Sequence, residues 1–560
     1  MSLNRRQFIK SSSFASFVLG YSLKSKATPG ILVGQALADA NMDKNENDNP
    51  IQNVPYSESS SLDFNGDNID RPHDILWNID GYVAKKGGIP APTKWSSIVI
   101  AGGGMSGLLS AYHLQAHKPM LLEQDNVFGG NSKGENFDGS YYSIGAAYVT
   151  IPDEGSDVET FFKDTGIADK LKLESDTETS VNFKNSLMKD FWKGASDPEN
   201  AAQFVAVEEE MRRIYNDAYP DIPWFEDSAI SYEELCRLDK MTFDQWLDDT
   251  FEVVHPHVRE YFQAYCWSSF GGSIDELSAA QVLNFVTAEV DGVLALPGGN
   301  AYITQTLHTQ LKANLPEGHV LSGAFVLRIH EQESGKVWVT FESKQGELIT
   351  VECDQVVCAF PKFVAERVIV NIEPERVKAI QSLMWRGYIV TNVILDSSVQ
   401  SPGFDIFNLN GKMQESPTPL NPPKKLATDI CFGTWAQNDE VNHSVMTMYR
   451  PLPFEGARQF LFSPMAHQKH LIASQKEIAE FCKAVNIDAA KIKGYRLTRW
   501  GHSLPLAYVG SISDGTVQAL IKPINDRIFF VNQDNWVNPA FECAFSEALT
   551  VAQKIESLKA

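Results

Sequence analysis

The stretch IVIAGGGMSG, residues 98–107, decides how the rest of the chain is read. A β-branched run from Ser97 to Ala101 leads into Gly102, Gly104 and Gly107, spaced G-x-G-x-x-G, and Leu108 to Ala116 read as a helix. KPMLLEQ then supplies a second strand ending in Glu123, about 20 residues past the motif. Each position has a physical task. Gly102 permits the tight turn. Gly104 lets a pyrophosphate approach the backbone where a helix starts, with Met105 and Ser106 in its first turn. Gly107 allows helix and strand to pack closely, and Glu123 accepts hydrogen bonds from a ribose diol. Strand, turn, helix, strand and acid in register predict a dinucleotide-binding unit. The pattern alone does not separate NAD from FAD.

Before this unit comes SLNRRQFIKSSSFASFVLGYSLKSKA, with Arg5 and Arg6 adjacent, Phe8 two positions on, and a weak apolar run from Phe14 to Leu23. That run is too short and polar to span a bilayer. A basic start, a weak apolar core and small-residue exits at Ser25–Ala27 or Ala36–Ala38 describe an export signal, and the paired arginines resemble the twin-arginine type. The expectation is export to the periplasm with the twin-arginine translocase as a passing partner. That route carries folded proteins, which suits a bound nucleotide. Residues 39–94, rich in Asn, Asp and Ser, read as a linker, with HDILWNIDGYV as a short docked piece.

Composition narrows the partners. A net charge of −23 makes nucleic acid a poor partner and favours, mildly, a cationic small molecule. The seven cysteines are dispersed and form no CxxC, so neither a disulfide framework nor a zinc site is expected. No metal site is expected, and no paired carboxylates stand out. His255 and His257, two apart on a predicted helix, should face different sides.

The segment after Glu123 separates the nucleotides. DNVFGGNSKGENFDGSYYSIGAAYV places Gly129 and Gly130 just past the acid, then Asn131, Ser132 and a glycine stretch with Gly145 and Ala146. With LPGGNAYITQTLHTQL, VLRI (Val326–Ile329), VVCAFPKFVAERVIV and the closing DRIFFVNQDNWVNPAFECAF, this resembles the flavin-containing amine oxidase superfamily, and within it spermidine-dehydrogenase-like proteins. The resemblance spans roughly residues 95–560. It implies FAD as cofactor, and contacts from Gly145, Ala146, Val326, Gln533, Asp534, Glu542, Cys543 and Ala544. Departures are plain. Val127 and Asn131 replace the arginines that flank the family's Gly-Gly pair, and Ala540 replaces an aromatic cage residue.

The implied fold is α/β, a glutathione-reductase-type Rossmann-like FAD-binding domain with an inserted α+β substrate domain. The boundaries expected are 1–38 signal, 39–94 linker, 95–150 first FAD-binding part, 151–290 helical cap, 291–375 second FAD-binding part, 376–515 substrate sheet, and 516–560 closing strand and helix. No second nucleotide motif is present, so electrons should come from an organic substrate. The expected function is an exported FAD-dependent oxidation of an amine or polyamine C–N bond, with desaturation of an apolar substrate as the alternative. Oxygen, a cytochrome or a quinone are open as electron acceptor. In RLTRWGHSLPLAYVG, Trp500 and His502 are the chemical candidates, Trp500 to stack and His502 to take a proton or bind polar substrate. Lys362, after Pro361, is expected at the surface.

Overall fold

Five parallel strands bring their carboxyl ends to one edge. In spatial order they are Val320–Leu321, Met120–Leu122, Lys94–Ala101, Leu348–Cys358 and Ile528–Phe530. The antiparallel strands Val337–Glu342 and Phe325–Glu331 extend the sheet along the first half of Leu348–Cys358. These elements belong to a computed structural model that describes residues 48–55, 63–175, 179–224, 228–437 and 441–559. The expected export signal, residues 1–38, lies outside the described residues. Among the described residues, no helix is long and apolar enough to cross a membrane.

The glycine turn folds as its residue types dictate. Lys94–Ala101 is buried over its last four residues, and Gly102 turns at φ +114°, open to glycine and strained for other residues. The helix after the turn, Met105–His113, starts earlier than Leu108 because Gly104 itself is the cap. Gly107 lies where a Cβ would meet the Gly102 carbonyl oxygen at 1.8 Å. Its task is helix-on-strand packing.

A second sheet of eight strands stands against this unit. Its centre is the antiparallel set Asp405–Leu409, Asp429–Phe432, Val445–Leu452, Trp385–Leu395 and Ile492–Pro505. Val445–Leu452 is buried throughout, because both faces of the sheet are covered. Helix Ala466–Ala484 covers the outer face through Ile478, Phe481 and Cys482, and the inner face packs on Tyr142 and Ile144. The helices Ala201–Asp217, Phe243–Thr250, Pro256–Phe270 and Ala279–Ala288 form a third core. His255 caps Pro256–Phe270 rather than riding on it. Its ring therefore sits 4.6 Å from that of His257, while Asp197 and Ser196 engage the two histidines separately.

The segment read as a linker is docked in its described parts, as was expected of HDILWNIDGYV. Ile51–Asn53 pairs in parallel with Gly134–Asn136, Asn65–Gly66 pairs with Thr498–Arg499, and Asp70–Leu76 and Ile79–Lys85 are helices. Its apolar side chains are few because each is lent to a core made elsewhere: Val54 to one, and Ile75, Ile79 and Val83 to another. Polar bonds do the rest. Asp67 accepts from the Gly501 amide at 2.7 Å, and Arg71 pairs with Glu342 at 3.0 Å.

One buried ion pair ties the two sheets' neighbours together. Glu135 accepts from Arg496 at 2.6 and 2.7 Å and from the Tyr142 hydroxyl at 2.7 Å. Glu135→Gln removes one charge of this buried pair, so a loss of about 3 kcal/mol is expected. Urea unfolding followed by tryptophan fluorescence reads it, with Glu135→Asp as the milder comparison.

Candidate active site

A cavity of about 940 Å³ runs from the carboxyl edge of the parallel strands to the inner face of the second sheet. Cavities of this size suit a cofactor with a substrate beside it. At the strand end it is lined by Gly102, Gly104, Met105, Ser106 and Glu123. No side chain caps the glycine helix at Gly104, which leaves its first amides for a ligand. Glu123 accepts from the Gly103 and Asp125 amides, both at 2.7 Å, and so fixes the turn while facing the cavity. Burial holds its carboxyl above the usual carboxylate range.

Gly130, Asn131 and Ser132 form the facing lip. A Cβ on Gly104 would meet only Gly130, its Cα at 3.5 Å, and one on Gly130 would press the Gly104 Cα at 3.0 Å. The two bare backbones leave a gap that any side chain would fill. Further along, Gly145, Ala146, Val326, Gln533, Glu542 and Ala544 also line the cavity. The Asn131 and Gln533 side chains both donate to the Ser503 carbonyl at 3.1 Å, drawing the second sheet onto the lip. Glu542 takes the Thr150 amide at 3.1 Å and its hydroxyl at 2.5 Å. A phosphate-ready helix start, a carboxylate at the second strand's end and a side-chain-free gap together fit a dinucleotide.

Four expected residues stand off the wall. Gly107 and Gly129 shape the turns behind it. Asp534 is wholly buried and accepts from the Lys362 amide at 2.8 Å, and burial raises its carboxyl to about 6. Cys543 points into the helical core, and burial pushes its thiol well up. Lys362 is not at the surface. It is 0% exposed, bonded to Asn535 and set over the Phe530 ring at 5.2 Å, with burial pulling its ammonium down to about 8. Asp534 and Asn535, far away in sequence, form its pocket.

Trp500 and His502 both line the cavity. Trp500 donates to the Ile144 carbonyl at 2.7 Å, just before Gly145, and faces Tyr388 across the strand pair. His502 stacks on Phe363 at 4.3 Å and accepts from Arg458. Burial, then the Arg458 charge, pull its imidazole down to about 3. Its lone pair is taken, so it is held neutral and is not poised to take a substrate proton.

The second sheet supplies what sequence reading missed. Strand register sets Asp405 opposite Cys431, Phe407 opposite Asp429, Asp429 opposite Tyr449 and Tyr388 opposite Trp500, all on the inner face. Asp405, Asp429, Tyr388 and Tyr449 line the cavity. The Tyr449 hydroxyl donates to the Gly145 carbonyl at 2.8 Å, and the Tyr388 and Tyr449 rings stand 6.0 Å apart at 77°. Asp429 accepts from the Thr428 hydroxyl at 2.5 Å, while Oδ1 of Asp405 is buried without a hydrogen-bond partner. Among the described residues neither aspartate is paired with a Lys, Arg or His. Burial lifts Asp429 to about 6; burial, then the Asp429 charge, raise Asp405 well above the usual carboxylate range. The ligand atoms of Asp405, Asp429 and Cys431 lie within 4.8 Å of one another. Aromatic neighbours suit this corner to an organic cation better than to a metal ion seeking six or more oxygens.

A family model described as "Flavin containing amine oxidoreductase" matches residues 105–448. The chain belongs to that family. Among curated proteins, this flavin containing amine oxidoreductase is 22% identical over 537 residues to "Oxidoreductase PigB" of Serratia sp. (strain ATCC 39006), covering 84% of this chain and 78% of that one. It is 38% identical to the 15-cis-phytoene desaturase of Solanum lycopersicum, but over only 91 residues, 15% of this chain and 14% of that protein. Among solved structures, a putrescine oxidase variant superposes with a TM-score of 0.62 at 16% identity. Cyclohexylamine oxidase from Brevibacterium oxydans IH-35A gives 0.61 at 16%; each match covers 83% of this chain and 100% of that chain. The fold is the α/β one expected, with a Rossmann-type FAD-binding domain. The protein is an FAD-dependent oxidoreductase, and the gap between Gly104 and Gly130 fits the nucleotide.

Proposed function

We propose that this protein oxidises a C–N bond of a cationic amine, with a diamine or polyamine as the preferred substrate, after export through the twin-arginine route. One observation carries the substrate reading. Asp429, buried, and Asp405, half-buried with its Oδ1 shielded, have no Lys, Arg or His partner among the described residues and face the same cavity as the flavin cradle, among Tyr388, Tyr449 and Phe407. Desolvated carboxylates without partners are costly, and an ammonium group relieves that cost. Aromatic faces add cation–π attraction. A wholly apolar polyene would leave both acids buried and unpaired, so the desaturase alternative is disfavoured. The names of the putrescine and cyclohexylamine oxidases of like fold point the same way.

The chain's own part in the reaction is placement. Asp405 and Asp429 hold one ammonium, and Tyr388, Tyr449 and Trp500 confine the methylenes beside Gly145. FAD, when bound, supplies the two-electron acceptor. Ionised Asp429 attracts the cation and protonated Asp429 does not, so 1/KM should rise as pH rises through about 6. That step should vanish in Asp429→Asn.

Anaerobic absorbance titration with putrescine, spermidine and a monoamine tests the substrate reading. Bleaching at low diamine concentration is expected, with the monoamine far weaker. A flavin that no amine bleaches would sink it. The Arg5–Arg6 pair supports export; replacing both by Lys should keep the protein in the cytoplasmic fraction.

A further inference from the structure

The flavin cradle is short of cations. Glu123, Asp125 and Asp67 line it, yet Val127 and Asn131 stand where the family places arginines. A bound pyrophosphate adds two negative charges there. A helix start offsets only part of them.

Among the described residues, the Lys and Arg side chains lining the cavity are Lys133, Arg367 and Arg458. Lys133 is spent on Asp125 at 2.6 Å. Arg367 is exposed, stacked 4.8 Å from the Trp77 ring and bonded to the Leu76 carbonyl. Arg458 is partly buried and has no carboxylate partner among the described residues. It donates to Nε2 of His502, which brings no counter-charge. A guanidinium removed from water without an anion is unfavourable unless a ligand supplies one.

Its position fits. His502 stacks on Phe363, just beyond the Ala359–Pro361 turn that backs Gly102. The next residue, Ser503, accepts from Asn131 and Gln533 of the opposite lip. His502 thus braces Arg458 between the two turns that flank the nucleotide's middle.

We propose that Arg458, positioned by His502, binds the FAD pyrophosphate in place of the arginines missing beside Gly129–Gly130. The planar fork of Arg suits paired phosphate oxygens, and a lysine serves less well. The contact comes from the loop that follows the strand Val445–Leu452 of the second sheet, so phosphate binding also ties that end of the sheet to the nucleotide unit.

The test is flavin binding to the stripped full-length protein, followed by quenching of flavin fluorescence. Arg458→Gln should weaken FAD about 10- to 100-fold and leave riboflavin, which lacks phosphates, within about two-fold. Arg458→Lys should fall between, and the salt dependence of FAD binding should flatten in Arg458→Gln. Unchanged FAD affinity would overturn the proposal, including the case where only the KM for an anionic substrate or acceptor rises. Equal weakening of FAD and riboflavin would also overturn it, as the mark of a packing defect.

Discussion

Asp429→Asn is expected to lower kcat/KM for putrescine about a hundred-fold while the protein becomes more stable at pH 8. Losing one partner of a desolvated charge pair costs about 2–5 kcal/mol, which sets the scale of the first effect. The second comes from linkage. Burial raises Asp429 to about 6, so between about pH 4 and 6 the folded chain keeps a proton that the unfolded chain has lost. Stability therefore falls as pH rises through that window and stays lower above it. Asn carries no charge and escapes the loss, a gain on the order of 3 kcal/mol. Opposite signs in the two measurements separate recognition from damage. Falls in both would make Asp429 a structural residue.

Gly107→Ala and Gly104→Ala should fail in different ways. At Gly107 the added carbon would lie 1.8 Å from the Gly102 carbonyl oxygen, a backbone atom that the strand holds in place. A loss of about 3 kcal/mol or more is expected, with flavin lost along with the fold. At Gly104 the nearest atom would be Gly130 Cα at 3.5 Å, so the flavin-free protein should melt within a few degrees of the parent. The methyl group would occupy the space of the phosphates, and FAD affinity should fall at least about ten-fold. Thermal melts with and without added FAD distinguish the two. A Gly104→Ala protein that binds FAD normally would take the pyrophosphate out of this gap.

The nucleotide cradle was legible because its signal is local. Strand, Gly102–Gly107 turn, helix and Glu123 lie within one supersecondary unit, and steric needs at each position pick the residue type. The substrate wall was not legible. Asp405 and Asp429 are single acids in separate apolar strands, and only ladder register sets them side by side. For Asp429, a charged residue in a strand buried on both faces was the available sign. Lys362 misled for the same reason, since its partners Asp534 and Asn535 arrive from the closing strand. His502 was found by position, but its chemistry depends on Arg458 from a remote loop. Residues 39–94, apart from HDILWNIDGYV, looked like a tether because the apolar side chains of their described parts are borrowed by cores whose other members lie elsewhere.

That docked segment bears on how the cofactor comes and goes. Asp67, Pro72, His73 and Leu76 share the cavity with Glu123 and Val326, and Arg71 reaches the Gln124 and Gly323 carbonyls across it. The helix Asp70–Leu76 lies over the cavity, held at its start by strand pairing and the Arg71–Glu342 ion pair and at its end by Arg367 on the Leu76 carbonyl. A nucleotide bound beneath it would leave as this helix opens locally, so its residence time would follow an opening rate as well as affinity.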